Sequence, residues 1–322
     1  MTHSITTAPE QVQPADIRAA LRRIAPVIRS TPVLTVSGDE FGISASITLH
    51  LKLEHLQHSG SFKARGAVNA LFARRLPPVG VVAASGGNHG AAVAWAAQRI
   101  GIPATIFVPT IAAASKVQRL RDYRADVRIG GAVYSEALAA SASFAEASGA
   151  RRVHAFDEPL VMTGAGTLGC ELSDAIGHLD SVVVACGGGG LAGGLGSWFG
   201  PHGPRLHVVE TDHTGTFAAA LRAGQPVPIE VSGIAADALG ASQLGALGWA
   251  ALRHAGALSV LVTDREVIEA RAWLWDRYRL LIEPAAAAVV AAVTSGRTGF
   301  ADGETVAVVL CGANTALGEL AG

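Results

Sequence analysis

The sequence predicts an α/β protein: open, mainly parallel sheets flanked by helices, in one large or two interleaved domains. Between Gly80 and Ser148, strand-like runs alternate with helical ones, the pattern of βα units feeding a parallel sheet. The alternation resumes after residue 159 and ends on a strand-like run over 305–310. Size agrees: 322 residues, half of them hydrophobic (50%) and only 16% charged, exceed one ordinary domain and supply ample core.

Taken in order, residues 1–14 are polar and aperiodic, as in a loose arm. Over 15–28, Ile17, Leu21, Ile24 and Ile28 share one helical face. Thr31-Pro32 stops that helix, because the residue before proline is pushed out of helical geometry. A strand over 47–53 leads to the turn-forming Ser59-Gly60-Ser61. A helix then opens near Lys63, with Ala64, Ala67, Ala70 and Leu71 at helical spacing. Pro77-Pro78 breaks the chain and sets the expected boundary, with 1–76 and 154–322 forming a large domain and 77–153 a small one. Within the small one, strands over 80–84, 104–108 and 125–129 alternate with helices over 88–100, 115–124 and 134–148. After a junction at 154–159 comes a helix over 162–176, opened by the glycine-rich run Thr163 to Gly169. The remainder reads as strand 181–186, four glycines, helix 191–199, strands 206–210 and 260–262, helices 265–277 and 285–293, and strand 305–310.

Charge excludes several functions. Lys and Arg number 25 against 26 Asp and Glu, a formal net charge of -1, so no global field draws nucleic acid or acidic membranes. The expected partner is a small molecule. Three scattered cysteines, Cys170, Cys186 and Cys311, make neither a disulfide framework nor a zinc site and suit a reducing compartment. No apolar run follows a basic start, and the most apolar tract, 284–293, is far shorter than the roughly 20 residues that span a bilayer. A soluble cytoplasmic protein is expected.

The chemistry centres on Lys63. In the first turn of a helix, unpaired amides and the positive dipole end disfavour an ammonium, and partial burial acts the same way. A neutral amine can hold an aldehyde as a Schiff base. Gly187, Gly188, Gly189 and Gly190 lie between an apolar strand and a small-residue helix, where successive backbone N–H groups can cradle a phosphate. The same run satisfies a dinucleotide fingerprint, Gly187-x-Gly189-x-x-Ala192, with Glu210 ending the next strand, so an NAD-dependent oxidoreductase is a rival reading. That reading gives Lys63 no role. Ser85-Gly86-Gly87-Asn88-His89-Gly90 occupies a strand-to-helix turn, where open α/β sheets bind ligands. Asn88 would offer its amide to a phenolate-like oxygen, and the loop amides with the Ser85 hydroxyl suit a carboxylate; an ordinary helix N-cap would use the same residues. Glu210 is followed by Thr214 and Thr216 rather than by a second carboxylate, a poor Mg²⁺ or Ca²⁺ site, and no metal is expected.

The run Ser59-Gly60-Ser61-Phe62-Lys63-Ala64-Arg65-Gly66-Ala67 closely resembles the cofactor-lysine motif of serine/threonine dehydratases and serine racemases, pyridoxal-phosphate enzymes of the tryptophan-synthase-β-like fold. With the 85–90 loop, the tetraglycine run and Cys311-Gly312-Ala313-Asn314, the likeness extends in family order from Arg29 to Thr315. It implies two interleaved sheets, with the large domain binding the cofactor and the small one contacting substrate. It also implies Lys63 as the Schiff-base lysine, Phe62 against the ring, Asn88 on the ring 3-hydroxyl and Gly187 to Gly190 on the phosphate. Cys311 would face the pyridine nitrogen, Glu283 of Glu283-Pro284-Ala285-Ala286 would line the pocket, and Ser85, Gly86, Gly87, Asn88 and His89 would receive the substrate carboxylate. Arg65 would brace the site.

Departures from the family pattern sharpen the expectation. Racemases carry a second serine where this chain has Gly86, so elimination is favoured over racemisation. The acidic partner that accompanies Glu210 in metal-binding relatives is Thr216 here. Ala64 and Phe62 separate the motif from those of threonine synthases and cysteine synthases. The implied activity is a pyridoxal-phosphate-dependent ammonia-lyase acting on L-threonine or L-serine. Substrate amine displaces Lys63, the freed lysine takes the Cα proton, hydroxide leaves, and the enamine hydrolyses to a 2-oxo acid and ammonia. Phenylserine or 3-hydroxyaspartate as substrate, racemisation, and a non-catalytic ligand-binding homologue are the alternatives. The resemblance alone implies a homodimer, and with the chain stopping soon after Thr315 no appended regulatory domain is expected.

Overall fold

The computed structural model describes residues 11–316, so the arm expected over 1–14 lies for the most part outside them. Helix α1 (Pro14–Ile24) starts with proline at a first-turn position and a reciprocal cap between Gln13 and Asp16, and it buries Ile17, Ala20 and Ile24. It ends before Ile28, which a following turn still buries. Strand β1 (Val33–Ser37), absent from the sequence reading, pairs antiparallel with β2 (Thr48–Lys52). Helix α2 (Lys63–Phe72) follows, beginning on the lysine as expected.

Four strands and three helices come next: β3 (Val81–Ala84), α3 (Asn88–Ile100), β4 (Ala104–Val108), α4 (Ala114–Asp122), β5 (Asp126–Ile129), α5 (Tyr134–Ser148) and β6 (Arg151–Arg152). They form a parallel sheet in the order β5-β4-β3-β6. The chain then returns through α6 (Pro159–Ile176), β7 (Ser181–Ala185), α7 (Gly190–Phe199), β8 (Arg205–Thr211), α8 (Thr216–Ala223), α9 (Ala236–Leu239), α10 (Ala246–His254), β9 (Leu258–Val262), α11 (Asp264–Tyr278), α12 (Pro284–Thr294) and β10 (Thr305–Val309). These complete a six-stranded sheet in the order β1-β2-β10-β7-β8-β9, parallel except for β1. The four-stranded unit is thus inserted between β2 and β7. Among the described residues, no helix is long and apolar enough to cross a membrane.

The larger apolar core fills both faces of the six-stranded sheet, and α12 is buried all round from Ala285 to Val293. A second core lies in the four-stranded unit and takes in Ala64, Ala67 and Leu71 of α2. The lysine helix therefore sits at the seam, packed on α3 to one side and α6 to the other. The glycine-rich run expected to open a helix is instead inside α6, which starts at Pro159. There the small residues serve packing: a Cβ on Gly164 would lie 2.6 Å from the Arg65 carbonyl oxygen and 2.8 Å from the Asn69 Cβ.

Beneath the start of α2 lies a buried ion network. Arg65 is fully buried and donates to Glu54 (Nε–Oε1 2.5 Å, Nη2–Oε2 3.0 Å) and to Glu171 (2.7 and 2.8 Å). Lys52 donates to Glu171 at 2.7 Å and to the Thr31 carbonyl at 2.8 Å, while the Thr31 hydroxyl donates to Glu54 at 2.7 Å. Two cations thus balance two carboxylates, and β2, the turn after it, α2 and α6 are joined at one point. Removing one partner leaves a buried charge uncompensated. Arg65→Met should lower unfolding free energy by about 3–5 kcal/mol. Urea denaturation measures this, and adding Glu54→Gln to the variant should recover part of the loss.

Candidate active site

The end of the last strand is stitched to the lysine loop. Gly312 forms a bridge with Ser61, the Phe62 amide donates to the Cys311 carbonyl (3.0 Å), and the Ala313 amide donates to Gly60 (2.9 Å). The Glu283 amide donates to Gly312 at 3.0 Å. Five sequence-distant segments meet here. Phe62, Lys63, Asn88, Glu283, Cys311 and all four glycines from Gly187 to Gly190 line one cavity.

Lys63 opens α2, and its amine donates to the Ala155 carbonyl at 2.7 Å while lying 5.1 Å from the centre of the Phe62 ring. Burial disfavours the ammonium and lowers its pKa to about 8, against the opposing pull of Cys311 and Glu283. Neighbouring buried groups follow the same rule. Burial pushes the Cys311 thiol well above its ordinary range, with Glu283 adding to the shift, so the sulfur keeps its proton. Burial also raises Glu283, opposed by hydrogen bonds from Asn88 (2.8 and 3.0 Å) and the Asn314 amide (3.2 Å).

The tetraglycine turn fits a phosphate. Its carbonyls are held from behind: Thr216 Oγ1 donates to Gly187 (2.5 Å), the Gly245 amide to Gly188 (3.1 Å) and the Gly193 amide to Gly189 (2.7 Å). Because N–H and C=O of one peptide point oppositely, those bonds send the Gly188 and Gly190 amide hydrogens the other way, while the Gly189 amide bonds to the Cys186 sulfur. No side chain caps α7, which leaves its first amides to an anion. There is no room for a larger residue, since a Cβ on Gly188 would collide with the Phe156 ring. The aldehyde-reactive amine and the anion cradle therefore share one cavity, as pyridoxal phosphate requires.

The 85–90 loop precedes α3, whose N-terminus also lacks a side-chain cap, so the ordinary-cap reading of Asn88 does not hold. Ser85 Oγ accepts from the Gly87 amide at 3.1 Å and keeps its own proton to donate. His89 is turned away from the cavity: its ring is buried with Nε2 3.0 Å from the Val153 carbonyl, leaving its backbone amide as what it can offer a ligand. Glu210 points elsewhere too. Fully buried, it accepts from the Thr216 hydroxyl (3.0 Å) and the Phe217 and Ala218 amides (2.8 and 2.9 Å) at the start of α8, and burial raises its pKa to about 7. A carboxylate so engaged cannot serve a ribose, which removes the acidic half of the dinucleotide reading.

Sequence reasoning missed the 154–157 turn. His154 Nδ1 accepts from the Phe156 and Asp157 amides (3.3 and 2.9 Å), presenting the Ala155 carbonyl to Lys63 and the Phe156 ring to the cavity. Nothing in the spacing of His154-Ala155-Phe156-Asp157 marks it as more than a junction. Ala238 and Leu239, from the short helix α9, form part of the same wall.

Comparisons with known proteins show the family. Residues 24–312 match the family described as pyridoxal-phosphate dependent enzymes. An L-threonine ammonia-lyase from Geobacter sulfurreducens is 34% identical over 302 residues, covering 92% of this chain and 73% of the relative. A catabolic L-threonine dehydratase, TdcB, from Staphylococcus aureus is 32% identical over 316 residues, 95% of this chain and 90% of the relative. Among solved structures, maize serine racemase superposes with a TM-score of 0.89 at 30% identity, covering 97% of this chain and 96% of that one. Serine racemase from Dictyostelium discoideum gives 0.85 at 29% identity, covering 95% and 99%. A crystallised threonine deaminase gives 0.87 at 32% identity, with the same coverage.

Two outcomes follow. Pyridoxal-phosphate capture by cofactor-free protein, followed by absorbance, should speed up with pH through about 8, because the neutral amine is the reacting form. Below that pH the rate should fall about tenfold per unit. Gly188→Ala should abolish retention of the cofactor on gel filtration while leaving the fold intact by circular dichroism.

Proposed function

The chain belongs to the pyridoxal-phosphate-dependent enzyme family, and from that premise we propose that it is an ammonia-lyase for L-threonine and L-serine, releasing a 2-oxo acid. One observation carries the proposal: the Lys63 amine shares a cavity with the tetraglycine cradle and a protonated Cys311 thiol. The threonine ammonia-lyase and dehydratase relatives support the same reading.

Bound there, pyridoxal phosphate supplies an aldehyde for amine capture and a ring that accepts electron density from Cα. The protein's residues do the rest. The amides of Gly188 and Gly190 would hold the phosphate, Asn88 would donate to the ring oxygen, and Phe62 would pack against the ring. Cys311 would offer the ring nitrogen a neutral thiol rather than a carboxylate, giving it little proton density, which suits chemistry that loses a β-substituent. The amides at the start of α3 and the Ser85 hydroxyl orient the substrate carboxylate. Lys63, whose pKa burial brings down to about 8 so that a fraction is neutral near pH 7, removes the Cα proton, and the Ala155 carbonyl holds its amine at the site.

Gly86 supports elimination, because it offers no hydroxyl to return a proton to Cα. The wall made by Phe156, Ala238 and Leu239 is apolar and supports an uncharged substrate side chain over that of 3-hydroxyaspartate. Cys170, Cys186 and Cys311 are buried free thiols, which supports a reducing, cytoplasmic setting; a homodimer is inferred from family likeness alone. Ammonia release should be measured across a panel of hydroxy amino acids. L-Threonine and L-serine should exceed 3-hydroxyaspartate in kcat/KM. Lys63→Ala should lower turnover by at least roughly 10²–10⁴-fold, the contribution of one positioned base. Continued 2-oxobutyrate release by that variant would sink the assignment.

A further inference from the structure

We infer that Arg119, on α4 of the four-stranded unit, is a positioning residue that sets the orientation of the Asn88 amide from across the cleft, acting through Asn314. The inference rests on the reading of Asn88 as donor to the cofactor ring oxygen. Its ground is a chain of four side chains whose hydrogen-bond polarity is fixed at both ends.

Arg119 Nη1 donates to Asn314 Oδ1. Asn314 Nδ2 donates to Asn88 Oδ1 and to the Ser59 carbonyl, the latter at 3.1 Å. Asn88 Nδ2 donates to both Glu283 oxygens at 2.8 and 3.0 Å. A primary amide can be turned either way, since its oxygen and nitrogen occupy nearly the same space. A guanidinium only donates, so Asn314 must present its oxygen to Arg119 and its nitrogen to Asn88. Asn88 must then present its oxygen to Asn314, which leaves its NH₂ facing Glu283 and the cavity. That NH₂ group, now on Glu283 at 2.8 and 3.0 Å, is the part of Asn88 that a ligand in the cavity would meet.

The same guanidinium braces the lysine loop, because Arg119 Nη2 donates to the Ser59 carbonyl at 2.9 Å. Glycine at position 60 gives it clearance: a Cβ there would stand 3.1 Å from Nη2 and 2.7 Å from Asn314 Oδ1. A second tie on α4, Lys116 to Asp237 at 2.5 Å, is largely solvent-exposed and contributes little by itself. Arg119 is half-buried and reaches the site with two of its donors. It sits on a helix that carries no other group in contact with the Asn88 chain among the bonds described.

The test compares wild type, Arg119→Met and Arg119→Lys. Four readouts are taken on each: pyridoxal-phosphate Kd, the absorption maximum of the bound cofactor, kcat and KM for L-threonine, and the melting temperature of cofactor-free protein. Arg119→Met keeps bulk and removes every donor. It should raise Kd about tenfold, the worth of one well-oriented hydrogen bond. It should also move the absorption maximum and lower kcat more than it raises KM. Arg119→Lys, which can still donate to Asn314, should recover most of these. An Arg119→Met protein with unchanged Kd and absorption maximum overturns the inference, as does a loss that follows melting temperature and is not recovered by lysine. Absence of any cofactor band in the wild type would overturn the underlying reading instead, and the two failures are therefore told apart.

Discussion

Everything about the site depends on the buried charge balance among Arg65, Glu54, Glu171 and Lys52. Arg65 lies two residues after Lys63, on the first turn of the same helix, and its guanidinium is held at full burial by carboxylates from two other elements. Such a cluster gains little net stability, because desolvation cancels most of the attraction. What it confers is a unique register. Slide α2 by one residue and a guanidinium leaves its carboxylates while an apolar side chain enters, a cost of about 3–5 kcal/mol that is a large part of a domain's margin of stability. The reactive amine is placed by the intolerance of its neighbour.

That placement is coupled to proton affinity. The same low-dielectric surroundings that make the ion cluster demanding strip the Lys63 ammonium of solvation and keep the Cys311 sulfur protonated. The amine thus gives up its proton near pH 8 and the thiol keeps its own for one physical reason. An anionic ligand would be met at the tetraglycine turn by backbone amides whose carbonyls are tied off on the far side.

Much of this was legible beforehand. Helices 88–100 and 134–148 and strand 104–108 fell on their expected bounds, because each is flanked by glycine, proline or a change of hydrophobic period. The nine cofactor-site residues read from Lys63, Asn88, Glu283, Cys311, Phe62 and the tetraglycine run do converge, since motif chemistry and strand ends coincide in this fold. What escaped was decided by tertiary contact. β1 has no alternation strong enough to announce an edge strand, and the α6 glycines read as the opening of a helix that in fact starts at Pro159, because close helix packing and helix-start chemistry favour the same residue. The His154 turn was invisible because an imidazole accepting two amides has no sequence signature. Likewise, Arg119 and Asn314 are 195 positions apart and meet only because two sheets are interleaved.

The strand order has a consequence for synthesis. β10 is the last strand of the described residues, yet it is central in its sheet, wedged between β2 and β7, and its end supplies Cys311 and the bridge to the lysine loop. On the ribosome, everything before it therefore emerges with a gap where the middle of the larger sheet belongs. Until β10 inserts, the nascent chain has a lysine but no complete pocket around it, and cannot engage an aldehyde cofactor before that strand has been made. Long-range pairing of this kind also makes folding slow, so the half-made sheet, with two unsatisfied edges facing each other, is the stage at which a chaperone would matter most.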